Sequence, residues 1–327
     1  MVIHLRALRI KTSMRLRVMM LVAVSLMAMY AVHTALAQGL APTRTQIVFL
    51  GTGTPNADPD RSGPSTAIIV GDTPYLFDAG PGVVRRAAGA RRNGVEALRV
   101  SNLRIVFMTH LHSDHTLGYP DLIFTPWVLE RDVPLQAFGP PGLKAMTEHL
   151  LEAYELDIDL RLHGLEPANP AGYTVQVTEI MPGAVYQDSS VQVEAFRVPH
   201  GSWDYSYGYK VTTNDGTIVL SGDTGPSEDL IRIATGADLL IHEAYATKGW
   251  EKHEPVWKRY HASFHTSGAE VGRIAREAGV KTVILTHQLL WSASEQDLVD
   301  EVQKVFTGRV LSARDLDVFD LAQLKKP

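Results

Sequence analysis

Three imidazoles and a carboxylate fall within six consecutive positions, His110-Leu111-His112-Ser113-Asp114-His115, directly after the apolar run Leu103 to Met108. That run is short and rich in branched and aromatic side chains, so it reads as a buried strand that delivers the histidines at its end. Open α/β sheets keep their sites at such strand ends. Alternate residues leaving a strand project the same way, so His110 and His112 can converge on one ion while Asp114 and His115, beyond a turn, address a second. A polar loop of solvated histidines is the competing reading and would prevail for a single His. The density of nitrogen and carboxylate ligands here favours a zinc-like ion instead.

The chain contains no cysteine, which removes both disulfides and thiolate ligands, so any metal must be held by His, Asp or Glu. Its 327 residues are 45% hydrophobic and 20% charged, ordinary for a globular domain. The first 37 differ: Arg6, Arg9, Lys11, Arg15 and Arg17 precede an apolar stretch from Val18 to Val32, and Ala35-Leu36-Ala37 follows as a small-x-small site. This is the layout of a signal peptide, and about fifteen apolar residues are short for a membrane span. Cleavage after Ala37 and an exported, periplasmic or secreted protein are expected, with no membrane association afterwards. No adjacent arginine pair marks the n-region, and without cysteine no lipid anchor is suggested. Removing five cations and no acids from a net charge of −5 leaves −10. So acidic a domain is expected to bind no nucleic acid. Arg85, Arg86, Arg91 and Arg92 read as one solvated helix face.

From Thr45 onward, apolar runs alternate with glycine-bearing turns: Gln46 to Leu50, Thr66 to Val70, Tyr75 to Phe77, then the strand before the histidines. Gly51-Thr52-Gly53-Thr54-Pro55 lacks the third glycine and the lysine of nucleotide cradles and reads as a tight turn. Gly142 to Leu156 has helical periodicity, with His149 carried passively. A second set of strands spans Tyr173 to Ile180, Val191 to Val198, Tyr207 to Thr212 and Thr217 to Ser221, the last two joined by Asn214-Asp215-Gly216. Helices are expected over Glu228 to Ala234, Ser267 to Ala278 and Glu295 to Phe306, and strands over Ala237 to His242 and Thr282 to Thr286. No linker or repeat divides residues 45–321. Strands run into helices twice, so one four-layer αββα domain over residues 38–327 is the economical α/β (α+β) architecture.

Three further apolar strands end in a potential ligand: Val198-Pro199-His200-Gly201, Leu220-Ser221-Gly222-Asp223-Thr224 and Ile284-Leu285-Thr286-His287. Seven ligands then serve two ions, with His110, His112 and His200 on the first, Asp114, His115 and His287 on the second, and Asp223 bridging. A bridging carboxylate neutralises charge that would drive two cations apart. Alone, Gly-Asp-Thr-Gly-Pro would read as turn chemistry.

With these segments assembled, the chain resembles the metallo-β-lactamase fold, specifically its ribonuclease Z and arylsulfatase-like branch. Leu240-Ile241-His242-Glu243-Ala244 resembles that branch's His-Glu-Ala-Thr segment, with Tyr245 where the Thr would stand. His265-Thr266-Ser267 resembles its His-Ser-Thr segment, and Phe49-Leu50-Gly51-Thr52-Gly53 and Phe77-Asp78-Ala79-Gly80 match its opening strands. The resemblance covers nearly the whole chain after residue 37.

It implies an αββα sandwich with two Zn2+ ions, although an all His/Asp ligand set also accepts iron or manganese. It implies ester hydrolysis by metal-activated hydroxide, with Asp114, His265 and Glu243 as the catalytic set. His265 is the expected leaving-group acid, with His261, four residues earlier and in the same loop, as its rival. Glu243 either orients an imidazole or is purely structural.

Ribonuclease Z cuts tRNA precursors, gripping them with a long arm between the strand-end His and the Gly-Asp-Thr segment. Here only residues 201–222 lie between His200 and Asp223, room for a hairpin. That hairpin, the acidity and the export signal point to a small ester: an aryl sulfate, as for an arylsulfatase, or a phosphate ester, as for a phosphodiesterase. Trp127, Trp203, Tyr205, Tyr207, Trp250, Trp257, Tyr260 and Trp291 are candidates for the mouth, about half of them expected in the core. Three alternatives stay open: lactone or β-lactam hydrolysis, with Tyr119 or Tyr245 over the carbonyl; a ribonuclease Z-like endonuclease; and, least favoured, a non-catalytic binding protein. Relatives are often dimers, which leaves a homodimer open.

Overall fold

The computed structural model describes residues 44–166 and 168–325; the export segment expected over residues 1–37 lies outside them. Among the described residues no helix is long and apolar enough to cross a membrane. Two seven-stranded sheets face one another. The first holds β1 (Thr45–Gly51), β2 (Ser65–Val70), β3 (Thr73–Phe77), β4 (Ile105–Phe107), β5 (Leu135–Gly139) and β6 (Val175–Glu179), in that order, with β14 (Val318–Asp320) outside β1. The second runs β7 (Gly183–Gln187), β8 (Val191–Arg197), β9 (Tyr207–Thr213), β10 (Gly216–Leu220), β11 (Leu239–Tyr245), β12 (Thr282–Leu289) and β13 (Arg309–Ser312). Each sheet is antiparallel over one half and parallel over the other, with the change at β3 and at β10.

Alternation within β1 shows why these strands read as continuous apolar runs. Ile47 and Phe49 enter the core between the sheets, while Val48 and Leu50 enter a second core against helices. Both faces are covered, so no polar face is needed. Helices α1 (Val83–Arg92), α3 (Tyr119–Val128) and α4 (Leu143–Ala153) cover the first sheet, through Val83, Leu122 and Leu143 among others. Helices α6 (Glu228–Ala234), α9 (Gly268–Ala278) and α10 (Glu295–Gln303) cover the second, through Leu230, Ile274 and Leu298. The result is the four-layer αββα sandwich. Short helices α2 (Ser113–Thr116), α5 (Glu155–His163), α7 (Thr247–Trp250), α8 (Pro255–Phe264) and α11 (Leu321–Leu324) complete the chain.

Polar bolts fix one sheet against the other near the strand ends. The Tyr209 hydroxyl donates to the Met108 carbonyl at 2.6 Å, the Tyr207 amide to the Thr109 carbonyl at 2.9 Å, and the Tyr75 hydroxyl to Asp188 Oδ2 at 2.6 Å. Each contributes about 1 kcal/mol, and together they set the position of the segment that opens the His cluster. A second device holds α3. Pro126 interrupts its interior, so the Leu122 carbonyl has no amide four residues on, and the fully buried Arg131 guanidinium donates to that carbonyl at 2.8 Å.

Several elements depart from the sequence expectation. The helix expected over residues 142–156 is two helices, α4 and α5, meeting at Tyr154. His261 does not stand in a loop but in the last turn of α8. Strand β12 does not stop at Thr286: Glu243 pairs with Thr286 and Ala244 with Gln288, so His287 is extruded as a bulge with φ +43°. Bulges of this kind re-aim a side chain out of the ladder. Of the arginine face on α1, Arg85 and Arg91 are solvated beside Asp121 and Glu96, while Arg86 turns inward to Ser62 and Asp315.

Candidate metal centre

Strand β4 ends two residues before Thr109, and the chain then turns into α2, whose first residue is Ser113. This places His110 and His112 on the extended approach and Asp114 and His115 on the helix. His110 is fully buried, and its Nε2 lies 2.9 Å from His112 Nδ1, which lies 3.1 Å from His200 Nε2. His200 arrives from the end of β8, with Nδ1–H donating to the Phe264 carbonyl at 2.7 Å. That bond leaves Nε2 as the atom turned toward its two neighbours. On the other side of His112, the Trp203 indole N–H donates to Nε2 at 2.7 Å.

A second group adjoins the first. His287 Nε2 is 3.2 Å from Asp114 Oδ2, and His115 Nε2 is 3.5 Å from the same oxygen. Asp223 Oδ2 lies 3.4 Å from both His115 Nε2 and His287 Nε2 of this second group, and Asp223 also falls in donor triads with His110 and with His200 of the first. All seven residues expected as ligands therefore converge at one strand-end cluster.

Asp78 is absent from the expected ligand set, yet it orients the cluster. At the end of β3, in the left-handed region with φ +62°, its carboxylate accepts from the Thr109 amide at 2.7 Å and faces His115 Nδ1 at 2.8 Å. Holding Nδ1 turns His115 Nε2 into the site. The available signal is the one that marks the other acids: a carboxylate at the end of an apolar strand, in Phe77-Asp78-Ala79-Gly80.

Charges in this pocket are mutually dependent. Burial alone would lower His115, but Asp223, Asp78 and Asp114 outweigh it and hold the ring well above the ordinary imidazole range. His287 is likewise opposed by burial and raised by Asp223 and Asp114 to about 9. Asp223, which burial would raise, is held well below the usual carboxylate range by His287 and His115. Burial dominates the first group, taking His112 and His200 each down to about 4. So dense an assembly of buried donors needs a compensating cation. His115 Nε2 has no hydrogen-bond partner, and triads such as His110-His112-His200 and Asp114-His115-His287 each have donor atoms within 4.8 Å of one another. The residues fit a divalent metal with nitrogen and oxygen preference.

Glu243 and His265 flank this cluster. Glu243 leaves β11 fully inside, its Oε1 accepting from the Thr266 amide at 2.9 Å and its Oε2 lying 3.2 Å from His265 Nδ1. Burial, then the adjacent Asp223, push Glu243 well above the ordinary carboxylate range, whereas burial takes His265 down to about 4. His265 Nδ1 also lies 3.9 Å from Asp223 Oδ2, close enough to belong to a ligand triad with His200 and Asp223. His261 stands farther out, 6.1 Å from His265 by ring centroid and 4.7 Å from Trp291.

The expected mouth aromatics divide. Trp127 and Tyr207 are core residues, and Tyr205, Trp257 and Tyr260 are exposed. Tyr119 is removed from carbonyl chemistry: its hydroxyl pairs with Thr147 beneath α4 at 2.8 Å.

Residues 73–288 match the family model described as the beta-lactamase superfamily domain. A protein named ribonuclease Z from Mycobacterium bovis (strain BCG / Pasteur) is 32% identical over 277 residues, 83% of this chain and 96% of the relative. Among solved structures, the metallo-beta-lactamase fold protein YhfI from Bacillus subtilis superposes with TM-score 0.66 at 20% identity, covering 85% of this chain and 99% of its own. The short form of human tRNase Z superposes at TM-score 0.63 and 22% identity, covering 84% and 99%. These relatives correct one expectation. Acidity, the short β9–β10 hairpin and the expected export signal point away from a nucleic-acid partner, but a relative aligned over 96% of its length is named as a ribonuclease. Net charge was the wrong measure, because a binding field is local and is set by cations at the mouth rather than by the chain average.

Proposed function

The chain belongs to the beta-lactamase superfamily of metal-dependent hydrolases, and from that premise we propose that it is a dinuclear phosphodiesterase whose substrates include RNA. One observation carries the two-ion reading: Asp223 stands 3.4 Å from His115 and His287 of one ligand group and also shares donor triads, all atoms within 4.8 Å, with His110 and with His200 of the other. His110, His112 and His200 would hold one ion, Asp114, His115 and His287 the other, and Asp223 both. Zinc suits these donors best, and iron or manganese would be accepted. Likeness to ribonuclease Z supports phosphodiester over acyl chemistry.

When bound, the ions supply Lewis acidity, offsetting phosphoryl charge and lowering the pKa of a nucleophilic water. The remaining work belongs to the chain. Asp78 and the Phe264 carbonyl hold His115 and His200 in single orientations, so the donors need little rearrangement. Glu243, raised by burial, keeps a proton beside His265 Nδ1, leaving His265 Nε2 to deliver one to the leaving oxygen. As the Nε2 proton leaves, the Glu243 proton passes to Nδ1, so His265 stays a neutral imidazole and Glu243 ends as the carboxylate.

A second reading, hydrolysis of a small sulfate or phosphate ester, is favoured by one observation: only the β9–β10 hairpin lies between His200 and Asp223. Parallel assays of the metal-loaded protein separate the two. RNA with a labelled 3′ extension, bis(p-nitrophenyl) phosphate and p-nitrophenyl sulfate are each incubated with wild type and with Asp223→Ala. Metal-dependent RNA cleavage absent from the variant supports the first reading; intact RNA with turnover of either small ester moves the function to the second.

A further inference from the structure

Helix α8 lies on the protein without burying a single residue. Its sequence, Pro-Val-Trp-Lys-Arg-Tyr-His-Ala-Ser-Phe, contains three aromatics, two cations and no acid, in a chain whose net charge is −5. Trp257, Tyr260 and Phe264 are spaced three and four apart and so share one face. Their rings form a continuous series: Trp257 to Tyr260 at 5.7 Å, Tyr260 to Phe264 at 4.3 Å and 26°, Phe264 to His200 at 5.0 Å, and Phe264 to His112 at 6.4 Å and 25°. The aromatic series therefore leads from solvent to the first ligand group. Gly201, at φ +53°, secures the inner end: a Cβ there would fall 2.1 Å from the Phe264 ring. At the outer end Trp257 is 53% exposed and Tyr260 37%, values that core packing does not explain.

Resting on the phosphodiesterase reading, we propose that α8 is a specificity surface for single-stranded nucleic acid, with Trp257 and Tyr260 stacking successive bases beside the scissile phosphate and the exposed Arg259 meeting a flanking phosphate, while Lys258 is held over the Trp250 ring. Aromatic platforms accept any base, since every base has a π-face, and interleaved cations follow the backbone. Glu254, the residue just before the helix, stands at the end away from Phe264.

The test uses the metal-loaded full chain and a fluorescein-labelled, phosphorothioate-linked oligouridylate read by anisotropy. Trp257→Ala with Tyr260→Ala should weaken binding by about tenfold or more, since each stacked base contributes a factor of roughly five to over a hundred. Both side chains are exposed, so the melting temperature should stay near that of the parent. In steady state, KM for unmodified oligouridylate should rise at least about tenfold more than KM for bis(p-nitrophenyl) phosphate, which is too small to span the track. Arg259→Gln should flatten the slope of log affinity against log salt by roughly 0.7, the share of one single-strand phosphate that is no longer neutralised. Wild type that fails to bind the oligonucleotide, or aromatic variants that bind it within twofold of wild type, would overturn the proposal. Failure of the phosphodiesterase reading would look different: RNA left intact by wild type, with binding and its loss in the aromatic variants both preserved.

Discussion

Replacing Arg131 with Met should remove a large part of the stability of the first helix layer, although Arg131 touches no site residue. The guanidinium is 0% exposed and donates to four carbonyls: Leu103 at 3.0 Å, Leu122 at 2.8 Å, Ile123 at 2.6 Å and Gly172 at 3.2 and 2.8 Å. Pro126 cannot serve Leu122, and among the described residues no amide reaches the carbonyls of Leu103 or Gly172. Methionine fills similar space but orphans those three acceptors, at about 1–3 kcal/mol each. Against this stands relief from desolvating an arginine that burial has pushed down to about 10, itself several kcal/mol. Three acceptors at that cost sum to about 3–9 kcal/mol and the relieved desolvation offsets part of it, leaving a net loss of about 2–5 kcal/mol against the roughly 5–15 kcal/mol that stabilises such a domain. Arg131→Lys, which keeps the charge and at most three donors on one nitrogen, should fall between Met and wild type. Urea titration followed by far-UV circular dichroism measures all three proteins at constant metal load. A Met variant within about 1 kcal/mol of wild type would refute the reasoning, because it would mean the orphaned carbonyls find other donors.

Four further outcomes are expected. Asp223→Ala should lose metal and hydrolysis together, measured as bound metal per chain by mass spectrometry and as turnover, because its carboxylate adjoins His115 and His287 of one ligand group and shares donor triads with His110 and His200 of the other. His265→Ala should retain metal and lose mainly kcat, least with a nitrophenol leaving group that needs no proton; an emptied site would show that His265 is a ligand. Asp78→Asn should keep the fold and lower metal affinity by about 10–100-fold in a competition titration with a chelating dye, since it removes the acceptor beside His115 Nδ1. Asp188 would be raised by burial, but hydroxyls of Tyr75 and Tyr186 and amides of Ser190 and Val191 hold it below the usual range. A carboxyl depressed in the folded state stabilises above its unfolded pKa, about 3.9, and that stability is lost as pH falls through the folded value. Asp188→Asn should therefore lower the melting temperature at pH 7 and converge with wild type as pH falls through the depressed folded value.

Legibility differed from element to element for physical reasons. Strands buried on both faces, such as β1 and β11, announce themselves by continuous apolar runs, and helix α6 lies over the expected residues, Glu228–Ala234. Strands β5, β7, β13 and β14 escape a reading of the sequence because each is short and takes its identity from a neighbour's ladder. Helix α8 resists reading because it has no buried face, so its sequence carries no apolar periodicity directed at a core.

By itself the sequence determined the donor inventory and its placement at strand ends, because ligand chemistry and the two-residue period of a strand are local properties. Tertiary structure decided how those donors meet. His287 reaches Asp223 only through a bulge between β11 and β12, and His115 faces inward only because Asp78, from a different strand, holds its other nitrogen. Whether Trp257, Tyr260 and Phe264 form a track or a scatter of surface aromatics was likewise fixed by packing, at the single point where Phe264 meets His200 across Gly201. Contacts between residues far apart in the chain depend on which strands become neighbours, and that is settled by the whole fold rather than by any segment of it.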